Sequence, residues 1–544
     1  METVPAVRTS RSVRSDTIEL LRHRGMTTIF GNPGSTELGL LVDLPEDFRY
    51  VMALHESVAV GMADGYAQLT GRPAFVNLHS ACGVGNAMGA VVNAFHNRAP
   101  LVITGGNQDR RQLALEPFLF ARAVELMAPY VKHSEQPARA EDVPAAIDRA
   151  WALAQTRPCG PAFVSVPADD WEASPSGASF SSIGGDVRAA GGLDGATIDD
   201  LAHRLTGGDT IALVVGAGAD RDEAWGELTR LAERLDAAVW TAPQSPRIGF
   251  PEDHPRYRGH LAPGYATAAA QLADADVALV VGAPVFAFLP YEPGDQPLPT
   301  IVHITDDPDE AARAPSALSL VGNVHAIAAA LLERIPAPDG DALHAGRPLP
   351  DAPGASQPIP PAFLMSTLAE VLPEDAVLVE EAPSHRNDLR RHHWIRRAGS
   401  FFACASGGLG FAMPASVGIA LAQPTRPVVC LVGDGSALYA PQALWSAVQL
   451  QTPVTFIVVN NSRYAILEAV AAFSGLKGVP SLALPGIDFL SLAASYGCPA
   501  TRVTAAGELR EAIRTATVEA RPVLIEVVVD STVPSLLPPS LPRA

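Results

Sequence analysis

The chain has 544 residues, with 39 lysines and arginines against 58 aspartates and glutamates and a formal charge of −19. That excess of acid excludes nucleic acid and anionic membrane surfaces as partners, and the length exceeds what one hydrophobic core supports, so about three domains are expected. The five cysteines (Cys82, Cys159, Cys404, Cys430 and Cys498) are odd in number, lack paired metal spacing and sit partly in apolar runs, so they read as reduced core residues of a cytoplasmic protein.

In chain order, the opening stretch to Ser15 bears Arg and Ser without an apolar core and reads as an unstructured extension, not a signal peptide. No run reaches the length of a membrane span. Strand-like and helical runs then alternate, which predicts an α/β chain of doubly wound parallel sheets. A strand over Thr27–Phe30 feeds Gly31-Asn32-Pro33-Gly34-Ser35. A second, Tyr50–Leu54, delivers His55 and Glu56 to a helix whose Val58, Met62, Ala63, Tyr66 and Leu69 recur at helical steps, an amphipathic pattern. A third, Ala74–Leu78, ends in His79-Ser80, and Gly83, Gly85 and Gly89 loosen the segment behind it. Ser35, Glu56 and His79 are thereby placed at one sheet edge, where ligands of parallel sheets gather. Taken singly, a carboxylate at a helix start is a capping group, and a lone His at a strand end is structural.

The first domain is expected at 12–170, ending with a strand over Ala162–Val166. Gly- and Ser-rich segments at 174–179 and 184–192 read as a linker, and a Pro-rich stretch at 336–361 marks the next boundary. Between them a middle Rossmann-like domain, 190–338, carries strands at Ile211–Val215, Val277–Val281 and Thr300–Ile304. Its Gly216-Ala217-Gly218-Ala219-Asp220 turn has the look of a nucleotide site, but without the fuller G-x-G-x-x-G context a tight strand-to-helix turn is favoured. The third domain is expected at 361–530, followed by a Pro-rich tail, 531–544.

Within that third domain an apolar strand, Val428–Val432, ends in Gly433-Asp434-Gly435-Ser436, and after a helix a second strand, Val454–Val459, delivers Asn460-Asn461 to the same edge. This reads as a magnesium-diphosphate clamp. Mg²⁺ takes hard oxygen ligands and usually one or two carboxylates, with phosphates and water completing its shell. Asp434, the Asn461 amide and a backbone carbonyl near Arg463 fit that demand, and Gly435 and Ser436 offer amides to an anion. The plainer alternative is a turn plus a strand-end Asn pair.

Taken together, F-G-N-P-G-S-T-E-L, E-D-F-R-Y, A-D-G-Y-A-Q, N-L-H-S-A-x-G-x-G-N-A-M-G-A, V-P-A-D-D-W, G-A-P-V-F, G-G-L-G-F-A-M-P-A and G-D-G-S…N-N occur in order from Phe30 to Asn461. In this the sequence resembles the thiamine-diphosphate-dependent 2-oxo acid decarboxylases and acetolactate synthases, nearest the benzoylformate decarboxylases. The resemblance implies three domains: pyrimidine-binding, middle and diphosphate-binding. It implies that Glu56 contacts the aminopyrimidine ring of the cofactor and activates it by holding a proton there. The Gly407 carbonyl would hold the ring's amine, and Leu409 would be the bulky wedge that bends the cofactor. Asp434, Asn461 and the backbone of Arg463 would hold Mg²⁺, with Gly435, Ser436, Ser384 and Tyr464 also on the cofactor. Ser35 and His79 would place or protonate substrate groups, in a pocket lined by Asn32, Pro33, Gly34, Phe118, Leu119, Leu289, Ile466, Leu467 and Val470.

Two departures stand out. Where benzoylformate decarboxylases carry a second active-site His after G-A-P-V-F, this chain has Leu289. His385 either re-enters the site as the missing proton carrier or is a solvated loop residue. After Asn461, Ile466 and Val470 replace larger aromatic groups of the relative and reshape the cavity. The resemblance further implies a homodimer at least, usually a homotetramer, in which Glu56 and Asp434 of different chains serve one cofactor. The expected activity is non-oxidative decarboxylation of a 2-oxo acid with an aromatic or bulky aliphatic side chain, giving an aldehyde. The alternatives are a carboligase making 2-hydroxy ketones and, remotely, a cofactor-binding pseudoenzyme, against which intact Glu56, Asp434 and Asn461 weigh.

Overall fold

The computed structural model describes residues 11–174, 187, 191–337 and 346–536. Most of the Gly- and Ser-rich linker, the first ten residues, part of the Pro-rich stretch and the end of the tail lie outside the described residues. The chain gathers into two compact units, one made of 1–189 with 417–422 and the other of 190–416 with 423–544.

Every strand belongs to one of three six-stranded sheets. The first contains β1 (Thr28–Gly31), β2 (Arg49–Met52), β3 (Ala74–Leu78), β4 (Leu101–Asn107), β5 (Ser134–Glu135) and β6 (Ala162–Pro167), in the order β2-β1-β3-β4-β6-β5. The second contains β7 (Ile211–Val215), β8 (Ala238–Thr241), β9 (Tyr257–His260), β10 (Val277–Val281), β11 (Thr300–Thr305) and β12 (Leu318–Val321), in the order β12-β11-β10-β7-β8-β9. The third contains β13 (Val377–Glu381), β14 (Phe401–Ala403), β15 (Val428–Gly433), β16 (Val454–Asn460), β17 (Ala500–Val503) and β18 (Val523–Val528), in the order β14-β13-β15-β16-β18-β17. All pairings between these strands are parallel. The central strands β3, β4, β7, β10 and β15 are apolar and enclosed almost throughout because helices cover both sheet faces, the arrangement that parallel crossovers impose. The doubly wound α/β class is therefore as the sequence indicates, with strand ends within two residues of those expected.

Several local expectations fail. The basic opening stretch ends in a helix, Val13–His23, because Ser12 caps it and exchanges hydrogen bonds with Ser15. The helix Glu56–Thr70 is not amphipathic: Val58, Ala59, Val60, Met62, Ala63 and Asp64 are all buried, so it is enclosed on every side. Gly83, Gly85 and Gly89 do not loosen the chain after β3, since they lie inside one continuous helix, Ser80–Asn97. Cys82 is exposed and Cys159 half-buried, so only Cys404, Cys430 and Cys498 are core residues. The Gly216–Asp220 turn is packed, not open. A side chain at Gly216 or Gly218 would strike the Gly282-Ala283 backbone, and Asp220 is tied to Arg247 at 2.6 Å and to the Gly399 N–H at 2.8 Å. Among the described residues no helix is long and apolar enough to cross a membrane.

Candidate functional site

In the first sheet, β1 ends at Gly31, where only glycine fits, since a Cβ would sit 2.5 Å from the Asn77 carbonyl and the Tyr50 hydroxyl. The chain then runs through Asn32, Pro33, Gly34 and Ser35. His55 caps the next helix, its Nδ1 accepting the Ser57 N–H at 3.2 Å, and this sets Glu56 in the first turn with 7 % exposure. The Glu56 carboxylate accepts from Asn32 Nδ2 at 3.3 Å and from Asn86 Nδ2 at 3.1 Å. Gly83, on the same helix as Asn86, allows the approach, for a Cβ there would lie 3.1 Å from Glu56 Oε1 and 3.2 Å from His79 Cβ. Glu56 and His79 are thus neighbours, as their strand-end placement predicts.

His79 has a partner that sequence reasoning missed. Its Nδ1 donates to Glu37 Oε2 at 2.9 Å. The Glu37 carboxylate is 1 % exposed and also accepts from the Gly34 N–H at 3.1 Å and from the Thr36 hydroxyl. A carboxylate on Nδ1 fixes the tautomer and leaves Nε2 for exchange with a substrate. Gly34 is required beside this pair, since a Cβ would collide with the imidazole ring. The signal was in F-G-N-P-G-S-T-E-L, whose Glu is Glu37. Ser35 is exposed next to this group, whereas Phe118 is 89 % exposed and Leu119 half-buried.

In the third sheet, β15 hands the chain to Asp434, which is 4 % exposed. Its Oδ1 accepts the Gly435 N–H at 2.7 Å, while Oδ2 is buried without a partner. Burial raises the Asp434 pKa against the pull of the Gly435, Ser462, Arg463 and Asn461 amides, and those amides place it beside the turn that ends β16. That turn is held firmly. Asn460 Nδ2 donates to Glu526 at 2.7 Å, Ser462 adopts a left-handed φ of 58°, and Asn461 Oδ1 accepts the Arg463 N–H at 3.2 Å. The Arg463 side chain turns away to Glu468 at 3.2 Å. Tyr464 covers Gly435 so closely that a Cβ there would strike its ring, and Ser436 is buried beside them.

The turn after β13 reaches the same residues. Ser384 Oγ accepts the Ile466 N–H at 3.1 Å, and His385 Nε2 lies 3.4 Å from Asn461 Nδ2. His385 is 3 % exposed and burial lowers its pKa to about 4, so the solvated-loop alternative falls. It is a neutral ring against Asn461. Gly407 and Gly410 take left-handed φ values of 72° and 93° on either side of half-buried Leu409. Glu381, the last residue of β13, accepts the N–H groups of Gly410, Phe411 and Ala412, each at 2.7 Å, and burial raises its pKa to about 7. Ile466 is half-buried, and Leu467, Val470 and Leu289 are exposed, the last by 71 %.

The buried, partnerless Asp434 oxygen, beside the turn that carries Asn461, suits Mg²⁺, which accepts one carboxylate readily. Among the described residues no three His, Cys, Asp or Glu side chains form a metal cluster. Beside Gly435 the space is filled by the Tyr464 ring and its N–H is taken by Asp434 Oδ1, and buried Ser436 follows.

Comparison with known proteins supplies the wider frame. The family models for the N-terminal, central and C-terminal domains of thiamine pyrophosphate enzymes match residues 11–134, 198–331 and 382–527. A benzoylformate decarboxylase of Pseudomonas aeruginosa is 41 % identical over 529 residues, covering 95 % of this chain and 98 % of the relative. The thiamine diphosphate-dependent 4-hydroxybenzoylformate decarboxylase of Rhodococcus jostii superposes with a TM-score of 0.93 at 41 % identity, covering 96 % of this chain and all of the other. An acetolactate synthase large subunit of Haemophilus influenzae is 25 % identical over 557 residues, covering 95 % of this chain and 94 % of the relative.

Proposed function

Because the chain belongs to the thiamine pyrophosphate enzyme family, we propose that it is a carboxy-lyase that decarboxylates a 2-oxo acid of the benzoylformate class, with an aromatic or bulky aliphatic side chain, to the aldehyde. The observation that carries this reading is the end-to-end likeness to benzoylformate decarboxylase at 41 % identity. When bound, thiamine diphosphate supplies a nucleophilic carbon and a sink for the electrons released as carbon dioxide leaves.

The residues divide the remaining work. Glu56, its oxygens aimed by the Asn32 and Asn86 amides, holds a proton against the pyrimidine ring. His79 Nε2, freed by the Glu37 contact at Nδ1, carries protons to and from the substrate's carbonyl region, and Ser35 orients its carboxylate. Asp434, the Asn461 amide and the Arg463 carbonyl would hold Mg²⁺. Gly435 and Ser436 would receive the diphosphate, with Ser384 and Tyr464 supporting them, and the Gly407 carbonyl and Leu409 would orient the cofactor's rings. Asn32, Pro33, Gly34, Phe118, Leu119, Ile466, Leu467 and Val470 shape the substrate side. We assign domains at 12–170, 190–338 and 361–530, at least a homodimeric and more fully a homotetrameric assembly, and a cytoplasmic location.

A second reading, carboligation to 2-hydroxy ketones, is favoured by one feature: Leu289 stands where the decarboxylases have a His, so one proton carrier for the departing aldehyde is gone. A product screen tests both. The purified protein, loaded with thiamine diphosphate and Mg²⁺, is given benzoylformate, pyruvate and branched 2-oxo acids with and without added benzaldehyde. Aldehyde as the main product from benzoylformate is expected. Hydroxy ketone as the main product would favour the second reading, and no turnover of any acid would refute both.

A further inference from the structure

Glu381 belongs to none of the groups assigned above, yet its carboxylate is fully engaged by backbone amides. It is 3 % exposed at the end of β13, and it accepts three backbone N–H groups at 2.7 Å, those of Gly410 at Oε1 and of Phe411 and Ala412 at Oε2. Phe411 and Ala412 open the helix Ala412–Ala422, whose first amides have no partners within the helix. A local Ser, Thr, Asn or Asp would cap them at short range. Here the cap comes from a strand about thirty residues upstream, and it extends past the helix to Gly410.

The loop it grips is built around glycines. Gly407 and Gly410 both lie in the left-handed region, where glycine is conformationally free, and between them stands Leu409. The loop's start is fixed by Gly408 N–H to Ser406 Oγ at 2.9 Å and its end by Glu381. The residues just after Glu381 make the parallel contacts already described: Ser384 to the Ile466 N–H and His385 beside Asn461. One strand end thus ties together the Leu409 loop, the start of the helix Ala465–Phe473 and the Asn461 turn.

We propose that Glu381 is a positioning residue for the cofactor: through these three amides its carboxylate fixes the Gly407–Gly410 loop, so that the Gly407 carbonyl and Leu409 hold the cofactor in its reactive shape. The proposal rests on the thiamine diphosphate reading above. Glu381→Gln keeps the volume but leaves one acceptor oxygen for three donors and turns an NH₂ group toward amides, whereas Glu381→Ala removes every acceptor.

The test uses the full-length chain with three readouts: amide hydrogen exchange of the apoprotein by mass spectrometry, thiamine diphosphate binding with Mg²⁺ by calorimetry, and the kcat and KM of the loaded enzyme. In Glu381→Gln, exchange should quicken at Gly410–Ala412 while the strands of the third sheet stay protected. Cofactor affinity and kcat should each fall about 10- to 100-fold, as for supporting groups behind a bound ligand, with the KM for the 2-oxo acid little changed. If Glu381→Ala fails to fold, the Gln variant still decides. Unchanged exchange, exchange that quickens across the whole sheet, or local loosening with unaltered affinity and kcat would each overturn the proposal, the last by reducing Glu381 to a helix cap. A parent protein that binds no thiamine diphosphate would overturn the function and this inference together, whereas a parent that binds and a variant that behaves like it would overturn the inference alone.

Discussion

Glu56 and Glu37 show how one strand edge gives two carboxylates different work. Glu56 accepts from the side-chain amides of Asn32 and Asn86, while Glu37 is committed to His79, the Gly34 N–H and the Thr36 hydroxyl. Glu56→Gln should keep the fold and lose about 10²–10⁴ in turnover, the usual worth of an acid-base group; hydrogen exchange at the cofactor's reactive carbon as fast as in the parent would remove Glu56 from its role. Glu37→Gln should lower kcat/KM by about 10- to 100-fold with a small change in melting temperature, because His79 loses the partner that fixes its tautomer. Steady-state kinetics matching the parent would show that His79 needs no such partner. Asp64 tests the enclosure of the helix Glu56–Thr70. It accepts from Gln68 Nε2 and Asn97 Nδ2, both at 2.8 Å, and burial raises its pKa to about 7. A raised pKa means that folding favours the protonated form, so the stability Asp64 contributes is complete below about pH 4 and lost as pH rises through about 7, on the order of 4 kcal/mol across that window. Asp64→Asn should therefore flatten the decline in melting temperature between about pH 4 and 7. Equal declines in both proteins would place the titration elsewhere.

Among the elements, strand-to-helix turns carry the site, and glycines decide how closely they pack. Gly435 lies under the Tyr464 ring where no Cβ fits, so the β15 turn and the start of the helix Ala465–Phe473 interlock. Gly435→Ala should displace the ring and weaken thiamine diphosphate binding. Calorimetry on Gly435→Ala, Tyr464→Ala and the double variant should show less loss in the double than the two single losses combined, because removing the ring removes the collision. Simple additivity would mean that the two residues do not act through each other. The helix Ser80–Asn97 makes the same point. Gly83 is pressed against Glu56 and His79, while Gly85 and Gly89 have open space around them, so of the three glycines only Gly83 has a packing reason.

For the whole molecule, the proposed clamp makes stability depend on ligand. Thiamine diphosphate with Mg²⁺ at about a hundred times the dissociation constant should stabilise the protein by about 2.7 kcal/mol, seen as a higher melting temperature. Asp434→Ala should abolish that shift, and a shift of the parent's size in the variant would remove Asp434 from the clamp. The sequence alone determined the sheets, because an apolar β-branched run such as Val428–Val432 or Ile211–Val215 is a local property that helices on both faces require. It also determined that Glu56, His79, Asp434 and Asn461 stand at strand ends, since each directly follows such a run or nearly so. What only the tertiary structure decided is which groups meet. Glu37 with His79, Asn86 with Glu56, and Glu381 with Gly410–Ala412 join segments about thirty to forty residues apart. The burial of Asp64 and His385 depends on helices and turns folded over them. Periodicity records the face a residue shows to its own element, but a hydrogen-bond partner or a lost solvent shell depends on chain arriving from elsewhere, and no local pattern encodes that.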